Sequence, residues 1–570
     1  MSAASAEAPL TRVARVAEGT GRLLGRLDAL TARIRPWMVL VPLAILGYGV
    51  AAWVGSKAVH TGWLYYNGGD GTWYYTTAWM LGHGLIPISS IGYGYPLLIA
   101  PLARIGGPNI LSGLPYAIFF NVVVLGPIAL VCMYGLAKAI AGRRFAYIAS
   151  ALWVIGPVIA IPYFLARYHR PYVGLQLPAD LGLTTLGDFP SMVAVLVAAY
   201  FAFRALTSGD DLDALTAGLA AGLALAVKPA NAAFLPAPAL ALIVARRPRA
   251  LLVFTAGLVP SVICLTLWKY RGLGYIPLFH GHQVALADGP GPPQLVGGLD
   301  VGQYLHGSWQ HLQHNLDGFR EFTWSRRLVE WTVVAGLIGL FRRSVPVAVL
   351  IGGWLASYML IKGTSVANFY GGSFFRYLAP AIPAAFLLVL SIPFLIPILG
   401  RRLATHGDMV TWPVSRRSRR TAAGFCAFLA IAPIVPILAF SQQAGASTAD
   451  FFTSSFLMPA NTFPLAATVH GPAVTLSWPS QSARGAVVRY GILRLRRDPL
   501  ACERPSGGSM TCGLPPGGLI ARTHKTTFTD LPRPGPWVYR VEVIASVPAP
   551  SGDLVLLSRP ATVSVPAAAG

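Results

Sequence analysis

The sequence predicts a mainly α fold, a polytopic bundle of about eleven transmembrane helices, followed by a small C-terminal all-β sandwich. Three observations predict it. The 570 residues are 54% hydrophobic and only 11% charged, far below the roughly 25% charged share of a soluble domain. The apolar residues come in long blocks separated by short basic clusters, as they do in helices that must close every backbone hydrogen bond within hydrocarbon. From about residue 466 onward the pattern changes to period two broken by Gly and Pro, the signature of short antiparallel strands.

Apolar spans are expected at about 38–56, 113–137, 145–165, 189–205, 212–228, 231–245, 250–268, 328–341, 344–361, 377–399 and 423–440. Their odd number puts the termini on opposite sides. Arg12, Arg15, Arg22, Arg26, Arg33 and Arg35 precede the first span, and Arg143 with Arg144, Arg246 with Arg247, Arg342 with Arg343, Arg401 with Arg402, and Arg416 to Arg420 follow at every second turn. Because basic loops stay in the cytoplasm, the N-terminus is expected there and the C-terminus outside, in a multi-pass cell-membrane protein. Residues 212–245 read either as a hairpin around Lys228-Pro229-Ala230-Asn231 or as one kinked helix, and only the hairpin keeps every arginine cluster on the cytoplasmic side. Residues 1–37 hold scattered Arg and no short apolar core before a small-residue site, so no cleavable signal is expected and the first span directs its own insertion. The expected organisation is a basic cytoplasmic segment (1–37), a transmembrane domain (38–440) with outer loops 57–112, 166–188 and 269–327, a linker (441–465) and the sandwich (466–566).

A net charge of +23 suits nucleic acid only when the cations share one solvated face with aromatic neighbours, whereas here they punctuate apolar blocks. Nucleic-acid binding is excluded on that ground. Of five cysteines, Cys132, Cys264 and Cys426 fall within apolar spans, where a thiol is a small core residue. Cys502 and Cys512 bracket a Gly/Ser/Pro loop in the sandwich, a spacing that closes a disulfide in an oxidising compartment; the alternative is two unpaired loop thiols.

In the C-terminal region, Val474-Thr475-Leu476-Ser477-Trp478-Pro479 and Thr527-Phe528-Thr529-Asp530-Leu531-Pro532, with Tyr539-Arg540-Val541, stand out. The first resembles the second strand of a fibronectin type III domain with its buried Trp. The others resemble the turn and aromatic-bearing strand near that domain's end. Such sandwiches recur without shared function, so the resemblance implies a fold and not a task.

The most unusual polar run of the membrane part is Tyr66-Asn67-Gly68-Gly69-Asp70-Gly71-Thr72-Trp73-Tyr74-Tyr75, followed by Ala78, Leu81, Gly84 and Tyr95-Pro96-Leu97. Two further stretches join it: Gly218-Leu219-Ala220-Ala221-Gly222-Leu223-Ala224 running to Lys228-Pro229, and Phe374-Phe375-Arg376-Tyr377-Leu378-Ala379-Pro380. Over about residues 38–400 this arrangement resembles the GT-C superfamily of polytopic membrane glycosyltransferases. In that superfamily the first outer loop carries an Asp, an aromatic pair, a helix of the form Ala-x-x-Leu-x-x-Gly and an aromatic-Pro-Leu segment. Many members have a second acidic residue near the first, where this chain has Gly71.

The resemblance implies transfer of a sugar from a polyprenyl-phosphate donor to a glycan, lipid or protein acceptor on the outer face, usually with inversion. Such chemistry needs a base for the acceptor hydroxyl and cations for the departing phosphate. Asp70 is the candidate base, its alternative role being a cap for a helix starting at Thr72. Asp180 and Asp188 read as turn and N-cap residues and stand as second choices. Lys228 and Arg376 are expected to hold the phosphate from opposite sides of one cavity, having few resident acidic partners; the alternative is that both snorkel to headgroups. Arg167, His169 and Arg170, together with Tyr74 and Tyr75, are further substrate-contact candidates. A divalent metal is the one cofactor left open, because Gly71 removes a carboxylate pair, and His83, His280 and His282 form no spaced ligand set. Segment 269–327 is expected to form a lid or a loop packed on the helices. A secondary transporter and a membrane scaffold displaying the sandwich are the other readings; the first should show internal repeats, and none is found.

Overall fold

The computed structural model describes residues 34–55, 70–86, 91–106, 110–163, 165–166, 169, 172–173, 177–273, 283–284, 294–295, 308–322, 328–365, 373–396, 415–442, 463–480, 487–496, 519–546 and 553–566. Helices occupy every expected span. Six of them, Gly113–Ile159, Asp188–Ser208, Pro248–Arg271, Val345–Thr364, Arg376–Leu395 and Arg416–Ala439, are long and apolar enough to cross a membrane, and Trp37–Trp53 and Pro229–Val244 are shorter apolar helices. The Gly113–Ile159 segment is two spans. It breaks where Ala141 leaves helical geometry and Gly142 takes φ 84°, a conformation open to glycine without strain, just before Arg143 and Arg144.

The turn after the Asp188–Ser208 helix is built from local chemistry. Gly209 closes the helix at φ 67°, its N–H returning to the Ala205 carbonyl. Asp210 then caps the next helix, Asp211–Val227, by accepting the Leu212 N–H at 2.9 Å. At the other end Lys228 adopts an extended φ of −148°, Pro229 follows, and the chain turns back through a 3-10 segment into Pro236–Val244. The Arg247 guanidinium at the end of that helix packs on Gly209 at the start of the previous one. Residues 211–244 are therefore a hairpin and not one kinked helix.

Packing between Asp211–Val227 and Pro248–Leu273 explains the glycines of the first. A Cβ on Gly218 would stand 2.0 Å from the Phe254 carbonyl oxygen, and one on Gly222 would stand 2.9 Å from Ser261 Cβ. Small residues four apart let two backbones touch, the mode available in lipid where no hydrophobic force drives helices together.

Loops sort to two ends of the bundle. At one, Arg343 donates to the Ile140 carbonyl at 2.7 Å, Arg342 to the Leu395 carbonyl at 2.8 Å, and Arg419 pairs with Asp210. At the other, Thr185 Oγ1 donates to the Gly71 carbonyl at 2.8 Å, Trp268 Nε1 to the Ile91 carbonyl at 3.0 Å, and Arg271 to the carbonyls of Ile437, Leu438 and Phe440. Segment 269–327, expected as a loop or lid, contains the helix Trp309–Phe322. That helix is docked on the end of Val345–Ser365 through Asn315 to the Gly363 carbonyl at 2.9 Å.

The C-terminal region is a sandwich of two antiparallel sheets. Ala466–His470, Ala473–Ser477 and Thr527–Asp530 form one; Val487–Leu495, Leu519–Thr523, Gly535–Ser546, Asp553–Leu557 and Ala561–Val565 form the other. Val474, Leu476, Tyr490, Ile492 and Val541 fill the space between them. The Trp478 and Tyr539 that carry the fibronectin type III resemblance are both core residues. Tyr539 donates to Asp530 at 2.5 Å; burial first, then that carboxylate, holds its phenol well above the ordinary pKa. Cys502 and Cys512 lie outside the described residues.

Candidate functional site

The helix Asp70–Gly82 starts at Asp70 itself and not at Thr72. The side chain of Asp70 lies outside the described residues, but its backbone position is fixed by neighbours. Gly71 is tied to Thr185, and the Tyr74 ring rests against Gly187, where a Cβ would stand 2.6 Å away. The next residue is Asp188, so the segment around Asp70 meets the segment before Asp188 at the point where the Asp188–Ser208 helix begins.

Asp188 is buried, and its helix is entered through Gly187 without any side-chain cap. Its carboxylate accepts from Lys228 Nζ at 2.5 Å and from Arg376 Nε at 2.8 Å. Each cation is presented by the end of a different helix, Lys228 closing Asp211–Val227 and Arg376 lying in Ser373–Leu378. Both also face the Tyr377 ring, at 5.3 Å and 5.9 Å from its centroid, a placement that stabilises cations away from water. Lys362, itself buried, lies close enough to Lys228 for their charges to interact. Two cations thus share one carboxylate, with a third cation beside Lys228.

This corrects the expectation in two respects. Lys228 and Arg376 do converge, but on a resident acidic partner. Asp188 is that partner and not an N-cap. The sequence concealed this because Asp before an apolar run reads as a cap, while the pairings span 40 and 188 residues. The usable signal was scarcity: a buried cation at a helix end requires an anion, and few acidic residues lie within the membrane part.

Tyr74 and Tyr75 occupy packing positions. Both are buried in the cluster with Tyr95, Ile99 and Leu114, and the Tyr75 hydroxyl sits where a Cβ on Gly113 would fall. Burial raises the Tyr75 pKa well above its ordinary value, so it neither gives nor takes a proton near neutrality. His169 is half-buried, and Arg167 and Arg170 lie outside the described residues, as do His280 and His282. Asp180 closes the short helix Leu177–Asp180.

Among the described residues no group of three His, Cys, Asp or Glu side chains comes together, and Asp188 is engaged by two cations. A second carboxylate at position 71 would also need Thr185 to move, since a Cβ there meets Thr185 Oγ1 at 2.9 Å.

Two cavities adjoin these elements. One of about 410 Å³ is lined by Tyr48, Trp153, Tyr172 and Asp180. The other, about 1070 Å³, reaches Tyr93, Pro190 and Val227 beside the charged cluster and extends along the Arg416–Ala439 helix. Tyr74 and Tyr75 line neither.

No family model and no curated protein matches the chain. Among solved structures it is similar to the archaeal oligosaccharyltransferase AglB from Archaeoglobus fulgidus in complex with an inhibitory peptide and a dolichol-phosphate, with 16% identity over 72% of this chain and 56% of that one and a TM-score of 0.38. It is also similar to the arabinosyltransferase EmbB from Mycobacterium smegmatis, with 15% identity over 79% of this chain and 48% of that one and a TM-score of 0.36. The chain spans about half the length of the structures it matches.

Proposed function

We propose that the chain is a membrane glycosyltransferase that moves a sugar from a polyprenyl-phosphate donor to an acceptor on the outer face of the cell membrane, by inverting displacement. The observation that carries the reading is the pair of half-buried cations, Lys228 and Arg376, held on the buried carboxylate of Asp188 beside the helix that begins at Asp70. Cations at this end of the bundle gain nothing from membrane topogenesis, and two cations held together by one carboxylate suit an anionic visitor that competes for them.

In this reading the Asp70 carboxylate takes the proton of the acceptor hydroxyl as its oxygen attacks the anomeric carbon. The bond from that carbon to the phosphate oxygen breaks on the opposite side. Negative charge grows on the leaving phosphate, and Lys228 and Arg376 receive it in a site where fixed charges act more strongly than in water. Asp188 then has a positioning role, holding both cations in place until phosphate competes for them. The motifs that resemble the GT-C superfamily support the same assignment. The acceptor class, glycan, lipid or protein, is not specified by these residues.

The test is Asp70→Asn in proteoliposomes supplied with a polyprenyl-phosphate sugar. The amide keeps the shape but cannot accept the proton, so the variant inserts, keeps its melting temperature and loses transfer by about 100-fold or more. Parental turnover in that variant would leave Asp70 with a structural role alone.

A further inference from the structure

The larger cavity continues well beyond the charged cluster. It follows the last helix from Pro436 to Ser415, a length of about 30 Å at the rise of an α-helix, which is the thickness of the hydrocarbon core. Its walls are apolar: Leu125, Ile128 and Val131 face Phe425, Phe428 and Leu429 of the last helix. Its far end is polar, formed by Ser415, Ser418 and Arg419.

Three features of that end call for an anion. Arg419 pairs through Nη1 with Asp210 and lies 3.5 Å from Asp213, yet its Nε is buried and has no hydrogen-bond partner among the described residues. Arg416, Arg417, Arg419 and Arg420 crowd the first turn of the Arg416–Ile431 helix, which holds no acidic residue there; cations at a helix N-terminus oppose its dipole. Of the nearby carboxylates described, Asp210 is left to this cluster, Asp211 being matched by Arg249 at 2.6 Å and Asp213 chiefly by Arg204 at 3.1 Å.

We propose that this groove binds an anionic glycerophospholipid of the cytoplasmic leaflet, its phosphate on Arg419 Nε and the Ser418 hydroxyl and its acyl chains between Phe425, Phe428 and the wall at Leu125 to Cys132. Charge decides the occupant. A zwitterionic lipid brings a cation into an arginine cluster, whereas an anionic one relieves it, and the cytoplasmic leaflet is the anionic one. A bound lipid here pins the last helix to the bundle.

The experiment uses the full-length chain in detergent, stripped of lipid, with phosphatidylglycerol or phosphatidylcholine of identical chains added. Native mass spectrometry reads bound lipid and melting temperature reads folding. Phosphatidylglycerol is expected to bind about tenfold more tightly than phosphatidylcholine. Arg419→Gln removes both the charge and the Nε donor while Arg416 still faces Asp210, and is expected to erase that preference. Ala422→Phe fills the groove mouth without touching the ion pairs and is expected to abolish binding of both lipids. Equal binding of the two lipids, or a preference that survives both variants, overturns the proposal. So does one-for-one displacement by polyprenyl phosphate, which would assign the groove to the donor's tail, or displacement by inorganic phosphate, which would leave an anion site with no lipid specificity.

Discussion

With its carboxylate between Lys228 Nζ and Arg376 Nε, Asp188 fixes two side chains that the sequence places far apart. The cations were legible because each stands at the end of an apolar run, away from the arginine clusters of the alternate loops. Asp188 was not, because its role depends on two long-range contacts and on nothing local. Asp188→Asn keeps the volume and removes the charge that two half-buried cations share, so folding stability should fall by about 2–4 kcal/mol, somewhat less than for a fully buried pair. Polyprenyl phosphate should then raise the melting temperature of the variant more than that of the parent, since it supplies the missing negative charge. An unchanged melting temperature would mean that the pairing contributes no stability. Gly71 packs against Thr185, so any side chain at that position needs Thr185 to move.

Among the elements, the helices were readable from hydropathy and the turns from their chemistry, Gly209 with Asp210 and Lys228 with Pro229 being cases where one dipeptide ends or redirects a helix. The helix Trp309–Phe322 was missed although Trp309, Leu312, Leu316 and Phe319 recur at helical spacing, because the Gly- and Pro-rich run before it reads as loop; its place is set by hydrogen bonds to the end of another helix. How closely two helices approach was equally hidden. Gly218 and Gly222 reveal it only once Phe254 and Ser261 are known to lie opposite. Gly218→Leu should therefore push the Asp211–Val227 helix away from Pro248–Leu273, lowering stability by about 2–3 kcal/mol, the usual range for overpacking a close contact. It should also weaken donor binding, because Lys228 rides on the end of the displaced helix. A scan of melting temperature and donor affinity reads both; loss of neither would show that the contact tolerates a side chain.

At the scale of the whole molecule, the arginine clusters gather at one end and the Asp70–Asp188–Lys228–Arg376 region at the other, a segregation already implied by the alternation of basic loops along the chain. A reporter active only outside the cytoplasm should work when fused after Phe440 and fail when fused after Arg402; the reverse pattern would invert the bundle and put the charged cluster in the cytoplasm. The period-two pattern also marked the sandwich, down to its buried Trp478 and Tyr539, but no residue in it names a ligand. The central claim is that Lys228 and Arg376 receive the donor's phosphate, and the affinity of polyprenyl phosphate for single variants tests it most directly. Lys228→Met and Arg376→Met each leave Asp188 one cation, so the protein stays folded. Each should lose about 1.5–3 kcal/mol of binding, the worth of a charge-assisted hydrogen bond, or roughly ten- to a hundredfold in affinity. Parental affinity in both variants would contradict the account and move the search to Arg167 and Arg170.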